Sequence, residues 1–326
     1  MKEKHETTGL GRRYFLPGGI ALAILIGLLL PEAGQAAGKL SLAGMEARMA
    51  AVVCIFLVTG LRLEHAELKK KPGFVRAATA VVLINLILAP ALATATGALL
   101  GLGGALLVGL LAVGSAPTTL SSSTVITQTA RGNETWAVSL MVLLNLTGIV
   151  VLPFTLGLSL RTGGVAVDQA VLFFKILRLV IIPLGIGLAI QKVLRRPRAG
   201  FWGYVPPTCV ILIVWLSVSR RLDGLSELGT GVVLQILVLA AGLHLALLGA
   251  AFLAGNRLGL GAAERRAVAF VGAQKSLPLS ISVLLMLPGA GKTIETATVV
   301  AVLLYFPQIL IDSILAARLA RTPAGS

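Results

Sequence analysis

Charged residues are scarce in this 326-residue chain, and acidic residues are the scarcest of them. Only 13% of the residues are charged, with 13 Asp and Glu against 28 Lys and Arg, whereas a soluble domain carries about 25% charged residues. Hydrophobic residues make up 56% of the chain, which is more apolar surface than one soluble core can bury. The composition therefore excludes an ordinary soluble domain.

Cysteine, histidine and paired carboxylates are also nearly absent. The two cysteines, Cys54 and Cys209, lie inside apolar runs, and this position predicts packed thiols and no disulfide framework. The three histidines have no zinc-binding spacing, and the chain has no phosphate-binding loop and no nucleophile motif. The sequence thus offers no residues for enzymatic chemistry, and no cofactor is expected.

Long apolar runs are what the chain does have. They recur over about 17–25 residues between short polar breaks, which is the length of a helix that crosses the ~30 Å hydrocarbon core of a bilayer. The first run also fits a signal peptide, but the repeat described below needs it as a span. The sequence therefore predicts an all-α integral membrane protein whose partner is the lipid bilayer, with ten spans near 14–30, 45–61, 74–96, 103–129, 134–159, 170–193, 202–219, 230–254, 264–288 and 295–317.

The basic residues predict the orientation of the chain. If the N-terminus is cytoplasmic, 19 Lys and Arg fall on the cytoplasmic side and 8 on the other, while Lys275 belongs to neither side. Because Lys and Arg are in excess in cytoplasmic loops, this bias predicts cytoplasmic N- and C-termini and an even number of spans. The net charge of +15 is explained by these loops, so nucleic acid is not an expected partner. The short loops favour a multi-pass protein of a bacterial inner membrane.

An internal repeat supports the count of spans. The segment 17–24 matches the segment 183–190 at six of eight positions, and Val113-Gly114 with its following hydroxyl residues matches Val271-Gly272 more weakly. The matches pair span one with span six and span four with span nine. An odd offset of five spans gives the two halves opposite orientations, as in many secondary transporters. The expected organisation is a cytoplasmic segment 1–13, a first five-helix repeat 14–161, an inverted second repeat 168–320 and a tail 321–326.

Spans four and nine are the two that polar residues interrupt, near Pro117 and Pro278. Because proline frees a backbone carbonyl, each helix is expected to break within the membrane, where the freed groups must face protein or water. Hydroxyls beside such breaks can bind an ion or a substrate, and half-helix N-termini favour anionic groups. Alternatively, the Ser and Thr residues bond only to their own helices. The candidate binding residues are Asn85, Ser121, Ser122, Ser123, Thr124, Gln274, Lys275 and Ser276.

Lys275 is the most informative single residue. An ammonium near the centre of a bilayer costs at least ~2.5–3.5 kcal/mol, so Lys275 is expected to face a cavity lined by carbonyls, hydroxyls and amides. The alternative is a lysine that extends to the interface. No Asp or Glu lies mid-span in the two interrupted helices, so Lys275 is expected to lack a carboxylate partner, which would make proton coupling possible. Asp312 lies toward the end of span ten and is expected to reach the cytoplasmic interface. Four other polar residues are expected to make helix–helix contacts: Asn145, Gln235, His244 and Gln308.

These segments resemble the bile acid:sodium symporter family. The stretches 121–127 and 130–133 resemble its fourth-helix signature, and 269–277 resembles its ninth-helix signature; 60–68 and 305–310 also fit. Lys-Ser-Leu in helix nine and Gly-Asn-Glu after helix four are similar to the divergent branch that contains vertebrate solute-carrier family ten member seven and bacterial relatives. The resemblance implies two inverted five-helix repeats, a panel and a core domain, and broken helices four and nine that cross near the substrate site.

The resemblance also implies that sodium binding is weakened. Ser123 is kept, but Thr124 stands where sodium-coupled members carry Asn, and only a residual sodium site at Asn85 and Gln274 remains. Lys275 occupies another Asn position of those members, and our hypothesis is that its ammonium stands in for a sodium ion. No strong metal site is expected, because an oxygen site without its carboxylate binds sodium poorly. Three further ligand positions of the family hold Ala137, Met141 and Phe270.

The function expected from these features is secondary transport of a small organic anion. Sodium coupling is expected to be weak or absent, and the candidate coupling ions are a sodium ion and a proton. One alternative is a regulatory membrane protein that influences ion homeostasis without moving a solute. A proton-coupled exchanger is another alternative, against which the missing mid-span acid pair argues. The sequence leaves the solute, the direction of transport and the oligomeric state open.

Overall fold

The chain is helical in nearly all of the residues that the computed structural model describes, which are 3–42, 44–62, 73–119, 122–162, 168–194, 201–220, 229–287 and 291–321. Within these ranges the exceptions are short turns and one antiparallel pair of two-residue strands, β1 (Ser41–Leu42) and β2 (Met45–Glu46). The prediction of an all-α membrane protein is confirmed for this part of the chain.

The helices follow one another with short connections. In the first half of the chain they are α1 (Glu3–Leu29), α2 (Pro31–Gly38), α3 (Ala47–Arg62), α4 (Phe74–Leu83), α5 (Ala89–Leu99), α6 (Gly104–Ser115), α7 (Ser122–Thr129) and α8 (Glu134–Thr162). In the second half they are α9 (Gln169–Ile176), α10 (Ile182–Leu194), α11 (Val205–Ser219), α12 (Thr230–Arg257), α13 (Ala262–Ala273), α14 (Leu277–Met286) and α15 (Lys292–Leu319). The π-turns Ile84–Leu88 and Leu177–Ile181 join α4 to α5 and α9 to α10, and Phe201–Gly203 forms a 3-10 turn.

Six helical segments of the described chain are long and apolar enough to cross a bilayer. A seventh is added if α1 and α2, which meet at an angle of 102°, count as one span. The predicted spans two and seven are shorter than this, because α3 has 16 residues and α11 has 15. The segments are Phe74–Leu99, Glu134–Arg161, Gln169–Val193, Thr230–Arg257, Ala262–Met286 and Lys292–Leu319. The ten-span count, the repeat boundaries and the inverted repeat stay predictions.

The two predicted interruptions have nearly the same backbone geometry. Helix α6 ends at Ser115 and the chain leaves it through an extended Ala116 with φ −68° and ψ 140°. Helix α13 ends at Ala273 and the chain leaves it through Gln274 with φ −68° and ψ 149°. Each exit comes two residues after the glycine of a repeated Val-Gly pair. Pro117 follows the first exit, whereas Pro278 lies in the first turn of α14, where its missing N–H is tolerated.

The interrupted α13–α14 segment lies at the centre of the protein. Of its most apolar stretch, 94% is buried inside the structure, against 33–50% for the other five membrane-length segments. The outer helices instead expose large apolar side chains such as Leu22, Leu245 and Leu310, as lipid contact requires. The polar groups of the central interruption are therefore shielded from lipid by the surrounding helices.

Glycines allow helices α3 and α10 to pack in direct backbone contact. A Cβ atom on Gly187 would lie 2.1 Å from the carbonyl oxygen of Leu57, and one on Gly60 would lie 2.2 Å from that of Leu184. Small residues at helix contacts are the usual means by which membrane helices approach closely. These two glycines thus fix the spacing of the pair.

We expect Gly187→Ala to destabilise the protein by about 1–3 kcal/mol, because the added methyl group forces the two backbones apart. The midpoint of thermal unfolding of the purified protein in detergent measures this effect. Gly185→Ala is the matched control in the same helix, since its Cβ meets no atom within 4 Å. Equal midpoints for the two variants would contradict the assigned close contact.

Candidate functional site

A π-turn beside Pro90 gives the site its first acceptor. Within the turn Ile84–Leu88 the N–H of Ala89 bonds to the carbonyl of Ile84. The next acceptor in this pattern is the carbonyl of Asn85, whose donor would be the backbone nitrogen of Pro90, and proline has no N–H. The carbonyl oxygen of Asn85 is therefore left free in the middle of a membrane-length helix, where it must find another donor.

The Lys275 side chain supplies that donor. Its ammonium donates to the Asn85 carbonyl oxygen at 2.5 Å, to the Asn85 Oδ1 at 3.2 Å and to the Ala116 carbonyl oxygen at 3.1 Å. The side chain is buried, with 4% of the residue exposed. An ammonium has three N–H groups, so these three oxygens satisfy it completely without a carboxylate. Lys275 thus ties the π-turn to the interruption after α6.

The two interruptions contact each other directly. The backbone N–H of Ser276 donates to the carbonyl of Pro117 at 2.8 Å. The Gln308 amide pairs with both backbone groups of Lys275, accepting from its N–H at 2.8 Å and donating to its carbonyl at 3.1 Å. The Asn85 amide donates to the carbonyls of Gly272 and Gln274, both at 2.9 Å. Side chains therefore bond the backbone groups that the break of α13 releases.

Gln274 begins a second polar chain at the same place. Its Oε1 accepts hydrogen bonds from the hydroxyls of Thr119 at 3.0 Å and Ser122 at 2.9 Å, and these two hydroxyls also contact each other. Its Nε2 donates to Asp312 Oδ2 at 2.6 Å. The other carboxylate oxygen of Asp312 lies 2.8 Å from Nε2 of His244. One amide thus links the hydroxyls at the start of α7 to a buried carboxylate–histidine pair.

The expectation that Asp312 reaches the cytoplasmic interface is wrong. Asp312 is completely buried. It does not lie at the end of α15, because the helix continues to Leu319, about 10 Å further along its axis at 1.5 Å per residue. Its position near the end of the apolar run was misleading, since the run stops before the helix does. His244 and Gln308 do make the expected helix–helix contacts, and both belong to the polar centre. Among the described residues, Lys275 and Asp312 are the two opposite charges of this centre.

The remaining predicted residues lie near the centre without joining these chains. Ser123 donates to the carbonyl of Thr119 at 3.0 Å, just before α7 begins. Thr124 contacts the neighbouring helix α8, with its hydroxyl 3.6 Å from the sulfur of Met141. Ser276 caps α14 by accepting from the N–H of Leu279 at 3.3 Å. Ser121 falls outside the described residues. Asn145, beside the site, donates to the carbonyl of Thr118 at 3.2 Å.

The sequence carries a spacing signal for the buried polar face of α15. Tyr305, Gln308 and Asp312 stand at i, i+3 and i+7, which places them on one face of a helix, and all three are buried. A polar stripe of this kind in an apolar helix marks the side that faces the protein interior. Thr119 had no such signal, since its role depends on the course of the chain through the interruption.

The fold and this polar centre define a class of protein. Membrane-length helices surround two helices whose breaks contact each other, and the released backbone groups and buried charges meet there. This arrangement is that of a multi-pass membrane transporter, in which ion and substrate sites are built from discontinuous helices.

The chain belongs to the SBF-like CPA transporter family, which it matches over residues 14–321. It is 29% identical to the probable sodium/metabolite cotransporter BASS4, chloroplastic, of Oryza sativa subsp. indica, over 94% of this chain and 75% of the relative. It is 28% identical to the sodium/bile acid cotransporter 7 of Mus musculus, over 93% of this chain and 92% of the relative. The resemblance to bile acid:sodium symporters is confirmed, and the family is one of transporters and not of enzymes.

We expect Gln308→Leu to lower the stability of the fold, because it leaves the buried N–H and carbonyl of Lys275 without partners. Each unsatisfied group costs about 1–3 kcal/mol. Thermal unfolding in detergent measures the change. Gln235→Leu, the same substitution at an exposed position of α12, serves as the control and is expected to leave the midpoint unchanged. A wild-type midpoint for Gln308→Leu would contradict the bridging role of this amide.

Proposed function

We propose that this protein is a secondary transporter of a small organic anion in which the Lys275 ammonium takes the place of a sodium ion. The observation that carries this proposal is the set of three oxygens around the ammonium, drawn from Asn85 and the Ala116 carbonyl. Carbonyl and amide oxygens are also the ligands that hard cations take in proteins. A tethered ammonium therefore fills the role of a bound cation at the junction of the two interrupted helices.

The use of the remaining side-chain oxygens supports weak or absent sodium coupling. The Oδ1 of Asn85 accepts from Lys275, and the Oε1 of Gln274 accepts from two hydroxyls. The oxygens of the residual sodium site are therefore engaged by donors of the protein itself. A sodium ion would have to displace these donors, and the nearby Asp312 carboxylate is itself bonded to Gln274 and His244.

An anionic substrate is supported by charge and by helix direction. Lys275 is a positive charge at the junction, and α7 and α14 both begin there, at Ser122 and Leu277. Helix N-termini carry partial positive charge and attract anions. One relative is named a probable sodium/metabolite cotransporter and another a sodium/bile acid cotransporter, which agrees with a small organic solute. The candidate substrate contacts are the hydroxyls of residues 121–124 and Ser276, together with Lys275.

The proposal includes ten spans in two inverted five-helix repeats, with a core domain that moves against a panel domain. Its support is the matching exit geometry at Ala116 and Gln274 and the direct bond between Ser276 and Pro117. Two similar breaks that meet are typical of repeats related by a pseudo-two-fold axis in the membrane plane. The proposal also includes a bacterial inner membrane, which the short loops favour, and cytoplasmic termini, which the distribution of basic residues predicts.

Uptake of labelled anions into proteoliposomes tests the proposal, with taurocholate, pyruvate and succinate as probes. For a transported anion, replacing external sodium by potassium should change the wild-type rate less than about twofold. Lys275→Asn should lower the sodium-free rate on the order of tenfold, because loss of about 1.4 kcal/mol of charge attraction has that effect. Sodium should then stimulate the variant, since the amide leaves room for a free cation.

Lys292→Asn is the matched control, since Lys292 is exposed at the start of α15, and its uptake should equal that of the wild type. Strict, saturable sodium dependence of the wild type would overturn the role of Lys275. Absence of uptake for every probe by a folded wild type would favour the regulatory alternative.

A further inference from the structure

If Lys275 takes the place of a sodium ion, as the proposed function states, no mobile cation accompanies the anion across the membrane. The inference below rests on that proposed function. Lys275 cannot be released into solution, so each transport cycle would move the charge of the anion alone. An inside-negative membrane potential opposes the entry of an anion. Concentrative uptake therefore needs a mobile cation that binds with the anion, and the oxygens around Lys275 are already engaged.

The His244–Asp312 pair is a buried titratable pair in the described part of the chain that the proposed function does not use. His244 lies at the midpoint of α12 and is 5% exposed, and Asp312 is completely buried. They lie 2.8 Å apart, and because an ionised Asp312 can only accept, that charge state assigns the donor N–H to Nε2 of His244. The second imidazole nitrogen, Nδ1, is then the one that can accept a proton.

The pair is connected to the candidate substrate site by a single side chain. Gln274 donates to Asp312 and accepts from Thr119 and Ser122. A change of charge at His244 therefore acts on the same amide that orients the hydroxyls at the start of α7. The two sites are also adjacent in the chain, because Gln274 and Lys275 are neighbours in the break between α13 and α14.

Among the described residues, few other charged or titratable groups face the pair from the helices packed against it. Tyr305 lies two turns before Asp312 on the same face of α15, and Lys275 lies at the junction of α13 and α14. Helix α7 presents hydroxyls, and the π-turn between α4 and α5 presents the Asn85 amide. The remaining cations of these helices lie at or near helix ends, among them Arg257, Arg266 and Arg318. With a neutral His244, the charges of Lys275 and Asp312 sum to zero.

We infer that His244 is the proton-binding site of this transporter and that its proton is carried with the organic anion. Protonation at Nδ1 converts the imidazole to an imidazolium that still donates from Nε2 to Asp312. The polar centre then gains one positive charge, which an anionic substrate neutralises. Each ligand therefore strengthens the binding of the other by the same factor, and the proton leaves to water with the anion on the opposite side.

A pH jump on proteoliposomes adsorbed to a solid-supported membrane tests the proton site without any substrate. The wild type should give a transient current when the external pH is lowered, because a proton then binds in the polar centre and moves charge into the protein. His244→Gln should remove this current, since glutamine keeps a donor for Asp312 but takes up no proton. A current that persists in His244→Gln, or its absence in the wild type, would overturn the assignment.

Coupling is tested by uptake of the anion probe that the wild type transports. An inward proton gradient should raise the wild-type rate about three- to tenfold, whereas His244→Gln and Asp312→Asn should respond less than about twofold. Asp168→Asn, the same change at the exposed N-cap of α9, should keep the full response. A monodisperse peak in size-exclusion chromatography and a thermal unfolding transition establish that each variant is folded. Wild-type uptake that does not depend on pH would refute proton coupling and leave the proposed function intact. No uptake of any probe would defeat the proposed function, while the pH-jump current still decides the proton site.

Discussion

The structure depends on one constraint: a backbone polar group that leaves a helix within the membrane must find its partner inside the protein. The breaks after α6 and α13 create several such groups where the two breaks meet. They are bonded by the side chains of Asn85, Lys275 and Gln308 and by the contact between Ser276 and Pro117. Because lipid offers no alternative partner, the requirements that close the fold also assemble the polar centre.

The charges of the centre follow from the same constraint. Pro90 removes the donor that a π-turn would give to the Asn85 carbonyl, and this free oxygen becomes the shortest contact of the Lys275 ammonium. Asp312 is bound on one side by Gln274 and on the other by His244. The lysine and the aspartate are thus embedded in hydrogen bonds of the protein, which lowers the cost of holding them away from water. The centre is charged and polar but nearly neutral in sum.

The proposed use of Lys275 as a tethered cation has a consequence for ion coupling. A covalently attached cation cannot be lost and needs no sodium gradient, but it also cannot carry energy into the cycle. The proton inferred at His244 supplies the mobile charge that the lysine cannot. Anion and proton would then cross together as a neutral pair, and the fixed charges of Lys275 and Asp312 would stay with the protein.

The sequence by itself determined the membrane class, the all-α architecture, the two interruptions and the family, because apolar run length, proline and the helix signatures are local properties. It also identified Lys275, since a lone cation in an apolar run has few explanations. Only the tertiary structure decided what surrounds it: the free carbonyl of Asn85, the bridging amide of Gln308 and the burial of Asp312 beside His244. These contacts join residues that are more than thirty positions apart in the chain. Their geometry is set by how the helices pack, which no local pattern encodes.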